Sequence, residues 1–365
     1  MIAYVCGSAS WGGLEMNQWR NAKWMKERAH KVVVFGIPDS ELHRACLEDE
    51  IAFEPIETHK KHYDFKAAWK ISNLLKKLKV EHVIIRDGRD MSLVTMAKNF
   101  NFRQFKVHYF MEMQLGVVKK NIAQTLRFRQ LDSWICPLEW LVKEVRTNTY
   151  MPKKRIHLIP VGVELSLFQT EISQSNARKL IGLPEEGIII GLAGRHDVQK
   201  GQLVLMQSLK LLNDSAIPFS VALLGSPTLQ ESDDYSQQIM TFIEQEGLSD
   251  RVHCFPFRKD HHVFYKAINA LVMASLAETC GMVTIEAMAS GIPVIGSNAG
   301  GTTELLESGK SGYLFETMNP EALALQLVSF LEQPNRFPPE KLLAGTRKYD
   351  HYRICEMVER TLGLK

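Results

Sequence analysis

The sequence lacks long apolar runs: no window approaches the roughly 18 uninterrupted apolar residues that a membrane-spanning helix needs. Its first residues, Met1–Tyr4, include no basic stretch and lead into no long apolar core, so no signal peptide is expected. Cysteine is scarce, with 6 among 365 residues, and neither a Cys-x-x-Cys pair nor a cysteine–histidine spacing suits zinc. We therefore expect reduced thiols and a cytoplasmic location.

An excess of charge of one sign is also missing, because 44 Lys and Arg oppose 41 Asp and Glu for a net charge of +3. This balance argues against a nucleic-acid-binding protein. The charge is unevenly distributed, however: residues 1–165 hold 27 basic and 18 acidic side chains, whereas residues 166–365 hold 17 and 23. A change from +9 to −6 at mid-chain indicates a domain boundary, which we place near Pro160–Glu164.

Short apolar, β-branched runs alternate with helical patterns along the chain. The predicted strands are Ile2–Cys6, Val32–Phe35, Val83–Ile85, Lys106–Tyr109, Ser133–Cys136 and Ile156–Ile159, then Ile188–Ala193, Phe219–Leu224, Val252–Phe255, Ala270–Ala274 and Ile292–Ile295. Strands that alternate with helices are typical of parallel sheets covered on both faces. We predict an α/β protein with two Rossmann-like parallel-sheet domains, residues 1–163 and 164–349, facing across a cleft.

Ligands of such sheets bind at the carboxyl ends of the strands, so the loops after the strands are the candidate sites. The first of these loops, Gly7–Glu15, has glycines that allow close approach of a ligand and a helix N-terminus that favours an anion. Its spacing differs from Gly-x-Gly-x-x-Gly, so it is not a dinucleotide fingerprint. An ordinary strand-to-helix turn is the alternative interpretation.

The corresponding loop of the second half, Gly194–Gly201, contains two cations. Arg195 can grip phosphate oxygens in a bidentate way and Lys200 adds a point charge, which suits a diphosphate. Taken alone, the loop is better explained as a solvated loop with routine surface charges.

The segment Ser275–Ala289 places two glutamates around a glycine. Glu278 lies in a predicted loop, and Glu286 lies in the next helix among apolar neighbours, where a carboxylate is costly unless something satisfies it. A ligand diol could do so, and the alternative is a structural glutamate bonded to backbone or to a neighbouring arginine. The amides of Gly281, Met282 and Val283 would point at a phosphate from the helix N-terminus.

These motifs, and their order along the chain, resemble those of family-4 glycosyltransferases of the GT-B fold. The matching segments are Gly12–Glu15, Pro160–Glu164 with Phe168, Gly194-Arg195 with Lys200-Gly201, Glu278-x7-Glu286, Gly291–Ile295, and Gly300-Gly301 with Glu304-Leu305. The resemblance spans nearly the whole chain. It implies a retaining hexosyltransferase that uses a nucleoside-diphosphate sugar of the UDP or GDP type, with no further cofactor. It also implies that a C-terminal helix at about residues 350–365 packs back on the first domain.

The resemblance implies roles for individual residues. Arg195 and Lys200 would neutralise the diphosphate leaving group, and Glu278 would bind hydroxyls of the donor sugar. The further donor-binding residues would be Gly12, Gly13, Gly194, Gly281, Met282, Val283, Glu286 at the ribose diol, and Phe257 with Arg258 near the nucleobase. The first domain would hold the acceptor and the second the donor.

Other assignments depart from the family pattern or depend on it less directly. Val161 and Glu164 stand where many relatives have Asn and Asp. His108 is the candidate for a contact to the donor sugar or the acceptor hydroxyl, although a lone histidine at a strand end is often a core residue. Glu15, Asp87 and Arg89 are candidate acceptor contacts, with a solvated charged turn as the alternative for Asp87 and Arg89.

The sequence contains no Asp-x-Asp, the motif by which metal-dependent transferases usually bind a divalent cation. We therefore expect a metal-free mechanism in which fixed cations and helix ends stabilise the departing diphosphate. No convincing enzyme nucleophile is apparent, which favours departure and attack on the same face of the sugar, with the phosphate accepting the proton of the acceptor.

The basic first half suggests a partner. A predicted helix over Asp64–Leu78 carries one apolar face, and most of its lysines lie outside that face beside Trp69. Lys119, Lys120, Arg127 and Arg129 belong to the same half. We predict peripheral contact with an anionic membrane that carries a lipid-linked or glycan acceptor. A normal surface helix, or a phosphorylated or acidic soluble acceptor, is the alternative.

Two rival functions stay open from the sequence. One is another GT-B enzyme, such as a nucleotide-sugar epimerase or a phosphorylase. The other is a non-catalytic protein that binds a nucleotide sugar. The presence of both motif glutamates and both cations weighs against a degenerate site. The sequence does not specify the oligomeric state.

Overall fold

The computed structural model describes residues 1–101, 104–212, 219–227 and 234–364. The chain divides into two compact units, one formed by Met1–Gly162 with His351–Lys365 and the other by Val163–Asp350. Each unit is built on one parallel sheet with helices between its strands, which confirms the predicted fold class. Among the described residues, no helix is both long enough and apolar enough to cross a bilayer.

The first unit alternates strands and helices from its first residue. Its elements are β1 (Ile2–Cys6), α1 (Gly13–Glu27), β2 (Val32–Gly36), α2 (Glu41–Glu48), β3 (Ala52–Pro55), α3 (Phe65–Lys77), β4 (His82–Ile85), α4 (Asp90–Phe100), β5 (Lys106–Phe110), α5 (Ile122–Arg129), β6 (Ser133–Cys136), α6 (Glu139–Asn148) and β7 (Ile156–Leu158). The sheet order is β3-β2-β1-β4-β5-β6-β7, and all pairs are parallel. The order reverses between β1 and β4, which is the switch point where such sheets bind ligands.

Two apolar clusters cover the two faces of this sheet. Alternate residues of β1 contribute to each, with Ala3 and Val5 in one cluster and Ile2 and Tyr4 in the other. The second cluster also contains side chains of the C-terminal segment that belongs to this unit, including Ile354. Both faces are therefore dry, as the continuous apolar runs of parallel strands require.

The second unit repeats the pattern. Its elements are α7 (Gln174–Ile181), β8 (Ile188–Ala193), α8 (Gln202–Leu211), β9 (Phe219–Leu224), α9 (Asp234–Gln245), β10 (Val252–Phe255), α10 (His261–Ala267), β11 (Ala270–Met273), α11 (Met282–Ala289), β12 (Val294–Ser297), α12 (Gly301–Leu305), β13 (Tyr313–Phe315), α13 (Pro320–Glu332) and α14 (Pro339–Thr346). The parallel order is β10-β9-β8-β11-β12-β13. The last helix, α15 (His351–Leu362), returns to the first unit, where Arg28 and His30 bond Glu359.

Two strands were not predicted from the sequence. Both β3 and β13 are short strands at the edge of their sheets, and β3 includes Glu54 and Pro55. The polar residue and the proline weaken the apolar pattern of β3, and β13 has only three residues. The predicted strand Ile292–Ile295 instead begins at Val294, because Pro293 has no amide hydrogen for the ladder.

Candidate active site

The loops after β8 and β11 are joined by an ion pair. Lys200 Nζ lies 3.0 Å from Glu278 Oε2, and both side chains are largely buried. The second carboxylate oxygen, Oε1, accepts a hydrogen bond of 3.3 Å from the amide of Gly281. The backbones are joined as well, since the amide of Leu276 donates to the carbonyl of Gln199 at 2.8 Å. Two residues predicted as separate site members therefore form one unit.

The loop after β12 holds Glu278 in place. The amide of Gly301 donates to the Glu278 carbonyl at 2.7 Å. Gly300 has a φ of +54°, and a Cβ on it would lie 2.6 Å from the Glu278 carbonyl oxygen and 2.9 Å from its nitrogen. Only glycine fits this position without displacing the Glu278 backbone. The Gly300-Gly301 pair seen in the sequence thus acts by close backbone contact.

A further glycine with a close backbone contact, Gly225, was not predicted from the sequence. Gly225 follows β9, and a Cβ on it would collide with the carbonyl oxygen of Gly194. The amide of Gly194 in turn donates to the Leu224 carbonyl at 2.9 Å. The signal was present, since Gly225 comes directly after the apolar run Phe219–Leu224. These contacts bring the loops after β8 and β9 together at one edge of the sheet.

Arg195 lies in the same loop as Lys200 but is more exposed. Its guanidinium NH2 is 3.3 Å from Asp197 Oδ2. Asp197 also accepts from the amide of Gln199 at 2.9 Å, which caps the short turn that ends at Lys200. The Arg195 carbonyl accepts a 2.6 Å bond from Gln202 Nε2. The backbone of the loop is therefore fixed, whereas the Arg195 side chain extends toward solvent.

Glu286 is buried in α11 and is held by two residues of α10. Tyr265 donates its hydroxyl to Glu286 Oε2 at 2.8 Å, and His261 Nε2 lies 3.6 Å from Oε1. Side chains of α10 therefore satisfy this buried carboxylate. His261 and Tyr265 were not predicted, although their i, i+4 spacing places them on one helix face.

Gly281 stands at the N-cap of α11 with a φ of +66°. A Cβ at this position would collide with Leu305 Cδ1, so the start of α11 packs closely on α12. The amides of Met282 and Val283 follow in the first turn, where helix amides have no partner within the helix. This geometry suits an anion in front of α11.

Phe257 and Arg258 lie in the loop after β10. The ring of Phe257 is exposed and its amide donates to Ser226 Oγ at 3.2 Å. Arg258 forms two bonds with Asp260, of 2.9 Å and 2.8 Å. These side-chain bonds raise the pKa of Arg258 and lower that of Asp260. The pair keeps Arg258 charged beside an exposed aromatic surface.

In the first unit, the candidate acceptor residues are already engaged locally. Glu15 Oε2 accepts a 3.0 Å bond from the amide of Gly12, so its carboxylate caps α1, which begins at Gly13. Asp87 Oδ1 accepts from the Arg89 amide at 2.8 Å, and Oδ2 accepts from Arg89 Nε at 2.6 Å. The bond with Asp87 raises the pKa of Arg89.

The structure corrects the expectation for His108. The residue lies in the middle of β5, buried, with Nε2 3.1 Å from Nδ1 of His82. Burial lowers its pKa well below the ordinary value, and the neighbouring His82 adds to this effect. The strand continues through Tyr109 and Phe110, so the loop begins only after them. His108 is therefore a core residue and does not reach the carboxyl edge where a substrate would lie.

Two buried polar clusters lie at the carboxyl edge of the first sheet, and of their members only Asp90 was a candidate acceptor contact from the sequence. His59 Nε2 lies 2.7 Å from Asp90 Oδ1, and the Gly7 amide is 3.2 Å from both Asp90 oxygens. Burial raises the pKa of Asp90, and the bond with Asp90 raises that of His59. His59 follows β3, the unpredicted strand, so no pattern in the sequence indicated it.

The second cluster consists of Arg86 after β4 and Glu112 after β5. They form a buried ion pair, and Asn17 Nδ2 donates to Glu112 Oε2 at 2.9 Å. The three side chains line a small pocket with Trp24. Among the described residues, no group of three or more His, Cys, Asp or Glu is placed to hold a metal ion.

The sequence is similar to that of known glycosyltransferases. Residues 173–345 match the model of the family "Glycosyl transferases group 1". The D-inositol 3-phosphate glycosyltransferase 1 of Catenulispora acidiphila is 31% identical over 220 residues, 58% of this chain and 51% of that protein. The corresponding enzyme of Corynebacterium urealyticum is 30% identical over 201 residues, 53% and 47% of the two chains. The chain spans about half the length of these curated relatives.

Solved structures match over nearly the entire chain. Anabaena HepE in complex with UDP-glucose has a TM-score of 0.85 at 20% identity, with 99% of each chain covered. A glycosyltransferase of Rickettsia africae has a TM-score of 0.86 at 18% identity, covering 99% of this chain and 98% of that one. This likeness establishes the GT-B fold of two Rossmann-like domains. Through residues 173–345, the chain is similar to the glycosyl transferases group 1 family.

Proposed function

We propose that the protein is a retaining, metal-independent hexosyltransferase that moves a sugar from a nucleoside diphosphate to a hydroxyl acceptor. The observation that supports this most is the ion pair between Lys200 and Glu278, set beside the Gly281 amide at the N-terminus of α11. A cation, a carboxylate and free helix amides are the groups needed to bind a diphosphate and the sugar attached to it.

The donor in this proposal is a UDP sugar. HepE, which has the same fold, is known in complex with UDP-glucose, although its low identity transfers the fold alone. Lys200 and Arg195 neutralise the diphosphate, Glu278 binds hydroxyls of the sugar, and Glu286 binds the ribose diol. Phe257 and Arg258 flank the nucleobase. Gly12, Gly13, Gly194, Met282 and Val283 supply backbone contacts to the donor.

The transfer follows from these placements. The bond between the anomeric carbon and the phosphate oxygen breaks, and the electron pair stays with the diphosphate. Lys200 and the α11 amides stabilise this charge without having to reorganise. The acceptor oxygen attacks the anomeric carbon from the side that the phosphate leaves, and its proton passes to a phosphate oxygen. Configuration is therefore retained without an enzyme nucleophile.

The acceptor belongs to the first domain, residues 1–163, in this proposal, and the donor to residues 164–349. Glu15, Asp87 and Arg89 lie near the carboxyl edge of the first sheet, where an acceptor hydroxyl would bind. The curated relatives are named for D-inositol 3-phosphate, a small phosphorylated polyol. We propose an acceptor that is a glycan, lipid-linked or small polyhydroxyl compound, met in the cytoplasm at a membrane surface.

A donor screen followed by a product assay tests the proposal. Nucleoside diphosphates and their sugars are compared by thermal shift, because a ligand that binds the folded state raises its melting temperature. Release of UDP and the product linkage are then measured with and without a polyol acceptor. Formation of a new nucleotide sugar without acceptor would identify an epimerase, a requirement for inorganic phosphate would identify a phosphorylase, and binding without any release would identify a non-catalytic protein.

A further inference from the structure

Residues 113–131 of the first unit contain no acidic side chain. The run is bounded by Glu112 and Asp132 and includes four cations, Lys119, Lys120, Arg127 and Arg129. The segment covers the loop after β5 and all of α5. A run of this length with a single sign of charge indicates a partner of the opposite sign.

The same segment turns apolar side chains to solvent. Ile122 is 81% exposed and Leu126 is 59% exposed, and as an i, i+4 pair they share one face of α5. Phe128 is the side chain by which α5 is buried against the sheet. We define the α5 surface as the exposed residues Met113, Val117, Val118, Ile122 and Leu126.

Cations and one tyrosine border this surface. Lys120 Nζ lies 5.3 Å from the ring centroid of Tyr150, which is itself exposed. The amide of Lys119 donates to the carbonyl of Asn148 at 2.7 Å, which fixes the loop beside that tyrosine. Arg127 bonds Ser92 Oγ at 3.2 Å. The α5 surface is thus held by the fold, and its cations stand at its border.

We propose that the α5 surface docks on an anionic lipid bilayer, with Ile122 and Leu126 entering between the headgroups. Aliphatic side chains on one helix face, bordered by Lys and Arg, are the composition of interfacial helices. An exposed tyrosine such as Tyr150 is typical of the membrane–water interface. The inference rests on the membrane contact within the proposed function, not on the transfer chemistry.

The structure favours α5 over α3, the helix that the sequence indicated. In α3, Phe65 and Trp69 are also exposed, but acidic residues accompany them. Lys70 pairs with Glu57 at 2.8 Å, and Asp64 caps the helix. Residues 113–131 contain no acid of their own, and Glu144, which approaches the segment from α6, accepts hydrogen bonds of 3.1 Å from the amides of Leu115 and Gly116.

Co-sedimentation of the full chain with vesicles tests the proposal. Vesicles of phosphatidylcholine alone are compared with vesicles of phosphatidylcholine and phosphatidylglycerol. We expect binding to the second kind only, and about a tenfold or greater loss in the variant Ile122→Glu with Leu126→Glu, since charged groups replace the inserted aliphatics. The control, Leu180→Glu with Leu325→Glu, makes the same charge change at residues 63% and 68% exposed on the second unit, and it should bind like the wild type.

Two further variants keep the test decisive if the first one folds poorly. Lys119→Gln with Lys120→Gln should weaken binding to the anionic vesicles, and Phe65→Glu with Trp69→Glu should not. Equal binding to both vesicle types, no binding to either, or loss in the α3 variant alone would overturn the proposal. UDP release measured in solution distinguishes failure of the docking proposal from failure of the proposed function. Normal UDP release without vesicle binding would contradict only the docking proposal. Absence of UDP release would contradict the proposed function.

Discussion

Lys200 Nζ and Glu278 Oε2 lie 3.0 Å apart, although 78 residues separate them in the sequence. The cation that would meet the diphosphate and the carboxylate that would meet the donor sugar therefore hold each other in position. Neither side chain has to search for its place when a donor binds, which is the preorganisation that electrostatic catalysis requires.

Removal of Lys200 should show this coupling. We expect Lys200→Ala to lower kcat by roughly two to three orders of magnitude, the scale of losing a preorganised charge stabiliser. Arg195→Ala should lower kcat by a similar factor if Arg195 neutralises the diphosphate. Lys210→Ala removes an exposed lysine that pairs with Glu246 on the same unit and serves as the control in UDP-release assays. Near-normal turnover in both site variants would refute the diphosphate assignment.

Gly300→Ala should impair turnover through the backbone of Glu278. The added Cβ meets Glu278 at 2.6 Å and 2.9 Å, and the φ of +54° is strained for alanine. Gly247→Ala is the matched control, because Gly247 has a φ of +64° and open space where a Cβ would be. Both variants should lose roughly 1–2 kcal/mol of stability from the left-handed backbone conformation, and Gly300→Ala should lose more because of its collision, as measured by urea unfolding. Only Gly300→Ala should also lose most of its UDP release, and equal activity in the two would contradict the steric argument.

Tyr265→Phe tests whether α10 positions Glu286 for the ribose. Loss of the 2.8 Å bond frees the carboxylate to rotate, so we expect KM for the donor to rise several-fold with little change in kcat. Preference for UDP over 2′-deoxy-UDP, measured by calorimetric binding, should shrink as well. Tyr313→Phe removes a comparable buried hydroxyl bonded to the Gln333 carbonyl at 3.0 Å and should leave that preference unchanged.

The contact between α1 and α15 should make the first unit sensitive to acid. Hydrogen bonds from Arg28, the largest cause, lower the pKa of Glu359 from 4.5 to about 2. Because the pKa is lower in the folded state, this stabilisation is complete above pH 4.5 and is lost as the pH falls toward 2. Thermal unfolding followed across this range should show a smaller pH-dependent loss for Glu359→Gln. Glu356→Gln, at an exposed position of the same helix, should keep the wild-type profile.

Activity should withstand a chelator. In the proposed mechanism, Lys200, Arg195 and the α11 amides carry the diphosphate charge, so UDP release in EDTA should equal release in buffer alone. Complete loss in EDTA that a divalent cation restores would show that a metal carries this charge instead.

Local patterns in the sequence were sufficient to predict most strands of the two sheets. Apolar runs such as Ile188–Ala193 are central strands buried on both faces, and burial on both faces is what makes the run continuous. The strands β3 and β13 could not be found in this way, because β3 includes Glu54 and Pro55 and β13 has only three residues. His108 already lay within the predicted strand Lys106–Tyr109, and the strand extends one residue further, to Phe110, so His108 is not at the loop.

The candidate site could likewise be predicted only in part from the sequence. The sequence by itself determined which loops follow central strands, and it placed Arg195, Lys200, Glu278 and Gly300 in them, because loop positions depend on neighbours in the chain. Only the tertiary structure decided that Lys200 pairs with Glu278, that Tyr265 holds Glu286, and that His59 meets Asp90. These partners are set by the packing of strands and helices that are far apart in the sequence. The spacing of residues along the chain therefore does not show which side chains lie within a few ångströms of each other.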